Sequence, residues 1–394
     1  MLGRLAPRAA AATAAVDMHR FSVAPMMDYT DKHFRFLMRL LTRNATLYTE
    51  MMAANALHYT NRQAAADATA DSMIPRSLAT NAESIESPCV LQLGGSDPDV
   101  LAEASRTASA YHPFTELNLN CGCPSERVAG KGAFGAALMR EPALVAELCK
   151  AMRQGGGRPT TVKCRIGVDD QDSFEELQRF ISTVAERAGV SHFIIHSRKA
   201  ILTGLSPEQN RKIPPLIYEY VYRLVEGFPG LRFTLNGGVL TYEDIDMHFE
   251  RCPTLTGVMV GRAVLDRPFY WSEVDSRLYG RDNLGLNRRE VLAAYGSYCD
   301  AEMERTDPSR QRSLRNLLLK HALNLFAGEP MSRKYKQRLE ALRQRGDVSV
   351  SAILREAEEQ LHEGVLERRP GSGGQVAADC SDSVLIGRET GRCL

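Results

Sequence analysis

The amino-acid sequence predicts an α/β protein built as a (β/α)₈ (TIM) barrel, followed by a small C-terminal helical domain. Eight short segments rich in β-branched or apolar residues recur along the chain, and stretches with helical spacing of apolar residues separate most of them. Alternation of strands and helices is typical of a parallel sheet, and eight repeats indicate a closed barrel. The segments together span about 250 residues, the usual length of such a barrel. An open, doubly wound sheet is the alternative.

Each predicted element follows from its local pattern. Apolar residues recur at i, i+3, i+4 and i+7 from Phe34 to Leu41, which predicts a helix over Asp31–Leu41. The same spacing predicts a helix over Ser173–Ala188, and the polar stretch Gln63–Pro88 is predicted to be a surface insertion around a short helix. The predicted strands are Phe21–Ala24, Thr46–Thr49, Cys89–Leu93, Thr115–Leu119, Thr161–Arg165, His192–His196, Arg232–Leu235 and Gly257–Val260.

The chain divides into four predicted parts, which are an N-terminal extension (1–20), the barrel (21–275), a helical domain (286–367) and a disordered Gly/Ser-rich tail (368–394). Predicted helices of the helical domain are Arg288–Arg305, Ser309–Ala327 and an acidic helix, Val350–Leu366. The second of these has an apolar stripe made of Leu314, Leu317, Leu318, His321 and Leu325. Gly328 and Pro330 are predicted to end it.

Composition excludes several classes of protein. With 44% hydrophobic and 25% charged residues, the chain has the composition of a globular protein, and it contains no apolar run of the roughly 18 residues that cross a bilayer. Its nine cysteines form no paired Cys-x-x-Cys motifs, so we predict no metal site. Their odd number and scattered spacing, with a core of this size, predict reduced thiols and an intracellular compartment. Residues 1–20 contain arginine, much alanine and no acid before Asp17. This suits either a mitochondrial or other organellar transit peptide or an unstructured extension of a cytoplasmic protein.

A basic segment lies in the predicted helical domain. The net charge of the whole chain is +1, but Arg310–Arg345 holds ten Lys/Arg and only two acids, Glu329 and Glu340. Such a segment is either a solvated helix face or a surface that binds a polyanion.

Polar and glycine-rich residues follow nearly every predicted strand, where a (β/α)₈ barrel forms its active site. The glycines that follow the last two strands would let backbone N–H groups approach a phosphate. A lysine in a barrel strand suits the edge of a reduced flavin, and a glutamine can both donate to and accept from a pyrimidine-like ring. Taken singly, a glycine turn is usually a plain loop, and a histidine in a barrel strand is a core residue as often as a functional one. The residues are Pro25-Met-Met-Asp28, Glu50, Gln92, Asn118-Leu-Asn-Cys-Gly-Cys-Pro124, Lys163, Arg165, His196-Ser-Arg-Lys199, Asn236-Gly-Gly238 and Gly261-Arg262.

These segments resemble the tRNA-dihydrouridine synthases, and within them the A subfamily, from about Phe21 to Leu339. The matching motifs include Ser-Val-Ala-Pro-Met-Met-Asp-Tyr-Thr-Asp, Leu-Gln-Leu-Gly-Gly-Ser-Asp-Pro, Leu-Asn-Cys-Gly-Cys-Pro-Ser-Glu-Arg-Val, Ile-Gly-Val-Asp-Asp-Gln-Asp-Ser, His-Ser-Arg-Lys-Ala and Gly-Leu-Ser-Pro-Glu-Gln-Asn-Arg. The resemblance implies a barrel with tightly bound FMN, NADPH as the reductant, a helical tRNA-binding domain, and reduction of uridine 20 in the D loop of tRNA. We expect a monomer with no membrane partner.

The resemblance also implies roles for single residues. Cys123 falls on the position of the catalytic cysteine. The implied FMN contacts are Pro25, Met26, Met27, Gln92, Lys163, His196, Asn236, Gly237, Gly238, Gly261 and Arg262. The implied substrate and tRNA contacts are Asn118, Asn120, Arg198, Arg211, Arg333 and Lys336. Cys121 departs from the family pattern and gives a Cys-x-Cys pair.

The implied mechanism passes hydride from flavin N5 to C6 of a flipped-out uracil, and Cys123 protonates C5. A cysteine suits this acid role because, with an ordinary pKa of about 8.5, it is mostly protonated at pH 7. Asn118 and Asn120 would hold the uracil carbonyls, and the Gly130-Lys-Gly132 loop would act as a lid. Two other functions remain open. One is a flavin barrel that acts on a small pyrimidine or enone, and such an enzyme would not need the basic segment. The other is an RNA-binding barrel without catalysis, and such a protein would not need Cys123, Lys163 and His196.

Overall fold

The computed structural model describes residues 17–57, 78–125, 134–346 and 348–371, and the structural statements below concern these residues. The start of the predicted extension, most of the Gln63–Pro88 insertion, the predicted Gly130–Gly132 lid and nearly all of the tail lie outside them. The described residues fall into two compact units. The first takes its residues from the ranges Met1–Ala24, Asn44–Pro75 and Ser87–Val260, and the second from Pro25–Arg43, Arg76–Glu86 and Gly261–Leu394.

The first unit contains a closed barrel of parallel strands. Its strands are β1 (Phe21–Val23), β2 (Thr46–Tyr48), β3 (Met52–Ala53), β4 (Cys89–Gly94), β5 (Glu116–Cys121), β6 (Thr160–Arg165), β7 (His192–His196), β8 (Arg232–Asn236) and β9 (Gly257–Val260). Strands β4 to β9 pair in chain order, β9 pairs with β1, β1 with β2, and β2 with β4, which closes a ring of eight strands. The predicted (β/α)₈ barrel is therefore confirmed. The two-residue strand β3, which pairs with the end of β4 beside the ring, was not predicted.

The helices connect the strands or follow the barrel in the chain. They are α1 (Lys32–Arg39), α2 (Glu83–Glu86), α3 (Pro98–Tyr111), α4 (Pro142–Gly156), α5 (Phe174–Ala188), α6 (Tyr218–Gly227), α7 (Tyr242–Arg251), α8 (Arg262–Asp266), α9 (Val274–Tyr279), α10 (Arg288–Glu304), α11 (Pro308–Ala322), α12 (Ser332–Leu342), α13 (Val350–Glu358) and α14 (Glu363–Leu366). Short 3₁₀ helices span Gly135–Arg140, Gln209–Arg211 and Pro268–Glu273. Within the described residues, no helix is long and apolar enough to cross a membrane.

Local sequence explains where these helices begin and end. Ser173 caps α5 in a reciprocal capping box with Glu176, and Gly189 ends the helix in the left-handed conformation. Leu177, Ile181 and Val184 then lie on one buried face of α5, as their spacing predicts.

Strand alternation separates the inside of the barrel from its outer face. Ala24, Tyr48, Val90, Ile194 and Met259 come from strands or strand ends around the ring and form one buried apolar cluster, which fills the middle of the barrel. Because side chains alternate along a strand, residues two positions away on the same strands also point inward. Several of these are polar at each end of the barrel, such as Gln92 and His196 at one end and Thr46 and His192 at the other. The carboxyl ends of the strands hold the predicted site, and their amino ends hold a second polar cluster.

The second unit corrects two predicted helices. The predicted helix Ser309–Ala327 ends at Ala322. Leu325 lies beyond this end in a turn, where its backbone N–H donates to the Ala322 carbonyl at 3.2 Å. The predicted helix Val350–Leu366 is two helices, because the N–H groups of Gln360 and Leu361 bond three residues back, as in a tight turn. Helix α12, inside the basic segment, was not predicted, because it has only three buried side chains, Tyr335, Leu339 and Leu342.

Candidate functional site

A chain of amide hydrogen bonds crosses the carboxyl ends of β4, β5 and β6. The Asn120 side-chain amide donates to Gln92 Oε1 at 2.8 Å, and Gln92 Nε2 donates to Asn118 Oδ1 at 2.9 Å. Asn118 in turn donates to the Thr161 hydroxyl at 2.9 Å. Asn118 has no exposed surface. The direction of each bond fixes the orientation of the next amide, so the Gln92 and Asn120 side chains are held in place before any ligand arrives.

Cys123 is positioned by this network. Asn120 Oδ1 accepts hydrogen bonds from the backbone N–H of Gly122 at 3.1 Å and of Cys123 at 3.0 Å. The Cys123 carbonyl accepts from the Ala136 N–H at 2.9 Å. The thiol-bearing residue is half-buried, and the backbone on either side of it is held by the end of β5 and the start of the Gly135–Arg140 helix.

Arg165 fixes the same loop from β6. The sequence places it among the polar residues at the strand ends but predicts no role for it. Its guanidinium donates to the Gly122 carbonyl at 2.8 Å, to the Lys199 carbonyl at 3.0 Å and to the Asn210 carbonyl at 3.1 Å. Burial lowers the pKa of Arg165 to about 10, and the nearby charges of Arg211 and Arg198 lower it as well. The sequence signal was the i, i+2 spacing of Thr161, Lys163 and Arg165 on one face of β6.

Cys121 lies on the opposite face of β5 from Asn118 and Asn120. It is fully buried, pairs in register with Cys164, and is close to Cys149 of helix α4. Burial raises the pKa of its thiol well above the ordinary value. The two cysteines of the Cys-x-Cys pair therefore occupy different environments, because strand alternation turns Cys121 away from the amide network.

Lys163 is a cation without a carboxylate partner among the described residues. Its ammonium donates to Asn236 Oδ1 at 3.1 Å, and the Asn236 amide donates to the Met259 carbonyl at 2.8 Å. Burial lowers the pKa of Lys163 to about 8, and the charge of Arg165 contributes in the same direction. A positive group of this kind, held only by a neutral amide, suits an anionic ligand.

The turn after β8 requires glycine at two positions. Gly237 has a φ of +104°, and a Cβ there would lie 2.6 Å from His196 Cδ2. Gly238 has a φ of +78°, and a Cβ there would lie 2.2 Å from the Tyr218 hydroxyl oxygen. The Tyr218 hydroxyl also donates to the Gly237 carbonyl at 3.1 Å. The glycines thus allow the backbone to lie against His196 at the carboxyl end of β7.

The first unit brings together two groups of the residues predicted from the sequence. The first group is joined by hydrogen bonds and consists of Gln92, Asn118, Asn120 and Cys123. In the second group, Lys163 bonds to Asn236, which pairs in register with His196, and Gly237 lies against the His196 ring. Gly238 belongs to the same turn as Gly237.

Other predicted flavin residues belong to the second unit. The Met26 N–H donates to the Thr30 hydroxyl at 3.0 Å, and Met27 is 53% exposed. Gly261 precedes the short helix α8, whose first residue is the exposed Arg262. The flavin contacts predicted for Pro25, Met26, Met27, Gly261 and Arg262 remain predictions.

The basic residues predicted to contact tRNA differ in environment. Arg211 is exposed, and Arg198 donates to the Pro214 carbonyl, both in the first unit. In the second unit Arg333 is exposed, whereas Lys336 is half-buried near Asp266. Burial lowers the pKa of Lys336, and the negative charge of Asp266 opposes this shift.

An eight-stranded parallel barrel with ordered amides, a lysine and a half-buried cysteine at the carboxyl ends of its strands is a (β/α)₈-barrel enzyme. The chain belongs to the dihydrouridine synthase family, whose model matches residues 22–362.

Curated relatives cover most of the chain. It is 40% identical over 356 residues to a tRNA-dihydrouridine(20/20a) synthase of Synechocystis sp. (strain PCC 6803), covering 90% of this chain and 96% of that protein. It is 42% identical to proteins of the same name from Xanthomonas campestris pv. campestris and Escherichia coli (strain K12). These alignments cover 82% of this chain in both cases, with 88% and 87% of the respective relative.

Proposed function

We propose that this protein reduces uridine to 5,6-dihydrouridine in tRNA, at position 20 of the D loop, with bound FMN as cofactor and NADPH as reductant. The observation that supports this most directly is the fixed Cys123 loop beside the Gln92–Asn120 amide network, in a member of the dihydrouridine synthase family. The proposal makes Cys123 the group that protonates C5 of the uracil ring.

The first unit offers groups that fit FMN. After its two bonds to neighbouring amides, Gln92 keeps one N–H and one lone pair for the edge of a flat ring. Lys163 would lie against the anionic edge of the reduced ring system, and the Gly237–Gly238 turn allows a close approach of the backbone. When bound, FMN would supply the hydride equivalent that adds to C6 of uracil.

The surroundings of Cys123 suit a proton donor. Protonation of C5 leaves a thiolate on Cys123, and Lys163 and Arg165 are near enough to interact with that charge. Arg165 and Asn120 hold the loop on both sides of Gly122 and so fix where the Sγ atom can reach. In this proposal Asn120 is a positioning residue as well as a candidate contact for a uracil carbonyl.

Two basic regions support a tRNA substrate. In the first unit, Arg198 and the exposed Arg211 are close enough to the buried Arg165 to lower its pKa. In the second, Arg333 and Lys334 are exposed on α12. An enzyme for a small pyrimidine would need neither region, because its substrate carries no phosphate backbone.

The decisive experiment combines the purified protein with NADPH and a tRNA transcript, followed by nucleoside mass spectrometry mapped by position. We expect dihydrouridine at position 20 and FMN released on denaturation. Cys123→Ala should keep FMN and NADPH oxidation while losing dihydrouridine formation by about 10²–10⁴-fold, the usual contribution of a general acid. Cys121→Ala, a change of the neighbouring thiol on the opposite face of β5, is the matched control and should stay active.

Three results would contradict this proposal. Full activity of Cys123→Ala together with loss of activity in Cys121→Ala would show that Cys121, and not Cys123, is the proton donor. A colourless protein that takes up no FMN would favour an RNA-binding barrel without catalysis. NADPH-dependent reduction of a free pyrimidine, with no dihydrouridine in tRNA, would favour a small-molecule enzyme.

A further inference from the structure

Three potential metal ligands meet at the end of the barrel opposite Cys123. Glu116 and His192 are the first residues of β5 and β7, and His19 lies just before β1. His19 and His192 have no exposed surface, and Glu116 is 4% exposed. Each offers one ligand atom, and these three atoms all lie within 4.8 Å of one another.

We propose that His19, Glu116 and His192 bind one divalent transition-metal ion, such as Zn²⁺, in a structural site at the amino ends of the barrel strands. Imidazole nitrogen and carboxylate oxygen are ligands that Zn²⁺ favours. The proposal replaces our sequence-based prediction of no metal site, which rested on cysteine motifs. The three ligands are far apart in the chain, so no local sequence motif predicts them.

Unpaired polar atoms are the main support for this site. His19 Nδ1, His192 Nδ1 and Glu116 Oε2 are buried, and none has a hydrogen-bond partner among the described residues. A buried donor or acceptor left unpaired costs about 1–3 kcal/mol. A cluster with three such atoms is costly for the protein alone, and a cation bound by lone pairs of these groups would offset that cost.

The remaining atoms of the same side chains are already oriented. His192 Nε2 lies 2.8 Å from the Thr234 hydroxyl oxygen, and His19 Nε2 lies 2.9 Å from Glu116 Oε1. A hydrogen bond to the second ring nitrogen is the usual way in which proteins orient a metal-binding histidine. A Zn²⁺ ion could replace the proton between His19 Nε2 and Glu116 Oε1, which would be released to solvent. Alternatively, it could bind the unpaired His19 Nδ1 and Glu116 Oε2 after a small rotation of these side chains.

The backbone before β1 is held so that His19 stays in the cluster. A Cβ at Gly257 would lie 1.8 Å from the His19 carbonyl oxygen, so only glycine permits this approach. The Thr46 hydroxyl donates to the Met18 carbonyl at 2.6 Å. One positive group, Arg232, lies near His192, and it forms an ion pair with Asp17 at 3.4 Å.

A site at the amino ends of the strands is predicted to affect stability rather than chemistry. A bound ion would connect the segment before β1 to β5 and β7, which are not neighbours in the ring. Zn²⁺ should therefore raise the Tm of the metal-free protein without being required for the reaction at the opposite end.

The first test titrates Zn²⁺ into the metal-free, full-length protein by calorimetry. We expect one site, with affinity at least tenfold weaker in Glu116→Gln and in His192→Gln. His248→Gln is the matched control, because His248 is also buried, also has an unpaired Nε2, and bonds through Nδ1 to the Tyr222 hydroxyl at 2.7 Å, but belongs to no cluster of ligands within the described part of the chain. Unchanged affinity in both ligand variants would overturn the proposal.

A second test needs no variant, so it remains decisive if a variant fails to fold. X-ray absorption at the zinc edge of the Zn²⁺-loaded protein should show only nitrogen and oxygen neighbours at about 2.0–2.1 Å. Sulfur neighbours at about 2.3 Å would assign the ion to a cysteine instead. Either that result or the absence of bound zinc would refute the site.

Discussion

Single residues at the candidate site have two kinds of role. Cys123 and Lys163 present chemical groups, whereas Asn120 and Arg165 fix the backbone that presents Cys123. The first kind can be predicted from the sequence, because a cysteine or lysine in a known motif implies chemistry. The positioning role of the second kind cannot be predicted, since the bonds of Arg165 reach backbone carbonyls 34 to 45 residues away in the chain. The His19–Glu116–His192 cluster escaped prediction for the same reason.

The charge of Lys163 gives a prediction about cofactor affinity. Its pKa of about 8 means that the side chain is charged at pH 7 and loses its charge above pH 8. FMN should favour the charged form, so its Kd should rise by up to about tenfold per pH unit above pH 8. The FMN phosphate contributes little to this change, since the second pKa of a phosphate ester is about 6. Quenching of FMN fluorescence measures the Kd.

Two variants separate the lysine from other causes of that pH dependence. Lys163→Met should bind FMN more weakly at pH 7, and its Kd should not change between pH 7 and pH 9. Lys163→Arg, which keeps a charge throughout this range, should also be insensitive to pH but bind more tightly than Lys163→Met. A Lys163→Met protein with the pH dependence of the wild type would show that another group titrates.

At the scale of elements, strands were predicted better than helices. Each strand of the ring begins within one residue of its predicted start, because apolar β-branched runs between polar turns mark buried parallel strands. The C-terminal helices were predicted less well, since their ends depend on packing inside the second unit. Leu325 is buried although it lies beyond the end of α11, so the apolar period continued past the helix.

Helix α1 is anchored by buried ionisable groups. Asp31 caps the helix by accepting hydrogen bonds from the backbone N–H groups of His33 and Phe34. Its Oδ1 atom also lies 3.0 Å from His321 Nε2. Burial alone would raise the pKa of Asp31, but the charge and the hydrogen bond of His321 outweigh it, so the pKa lies well below the ordinary value. Burial lowers the pKa of His33 from 6.5 to about 4, although the charge of Asp31 opposes this shift.

His33 should make the protein sensitive to mild acid. Between pH 6.5 and about pH 4 the unfolded chain binds a proton at His33 that the folded protein does not, so the free energy of unfolding falls as the pH falls. One such proton corresponds to a slope of about 1.4 kcal/mol per pH unit. His33→Gln should reduce the slope by about that amount in urea unfolding measured across this range. His362→Gln, which changes an exposed histidine of the same unit, should leave the slope as it is.

For the whole molecule, sequence pattern and structure agree on the architecture and differ in what each shows about charge. The excess of basic residues in Arg310–Arg345 is evident from the sequence, but several of these side chains have acidic or backbone partners. Arg338 and Arg345 pair with Glu356, and Arg315 donates to the Arg345 and Gly346 carbonyls. Arg333 and Lys334 are exposed and form no ion pair with any described residue. These two are therefore the better candidates for binding phosphate.

Reversing these two charges tests whether the second unit contributes to tRNA binding. The Arg333→Glu/Lys334→Glu protein should bind tRNA more weakly at physiological salt, because a protein that neutralises fewer phosphates releases fewer counterions on binding. The plot of log K against log salt concentration should become shallower by about one for each phosphate that the variant no longer neutralises. NADPH oxidation without tRNA should be unchanged. Arg179→Glu, a reversal at an exposed arginine of α5, is the control and should preserve both affinity and slope. An unchanged slope in the double variant would mean that tRNA binds without these residues, and would leave the arginines around Cys123 as the source of affinity.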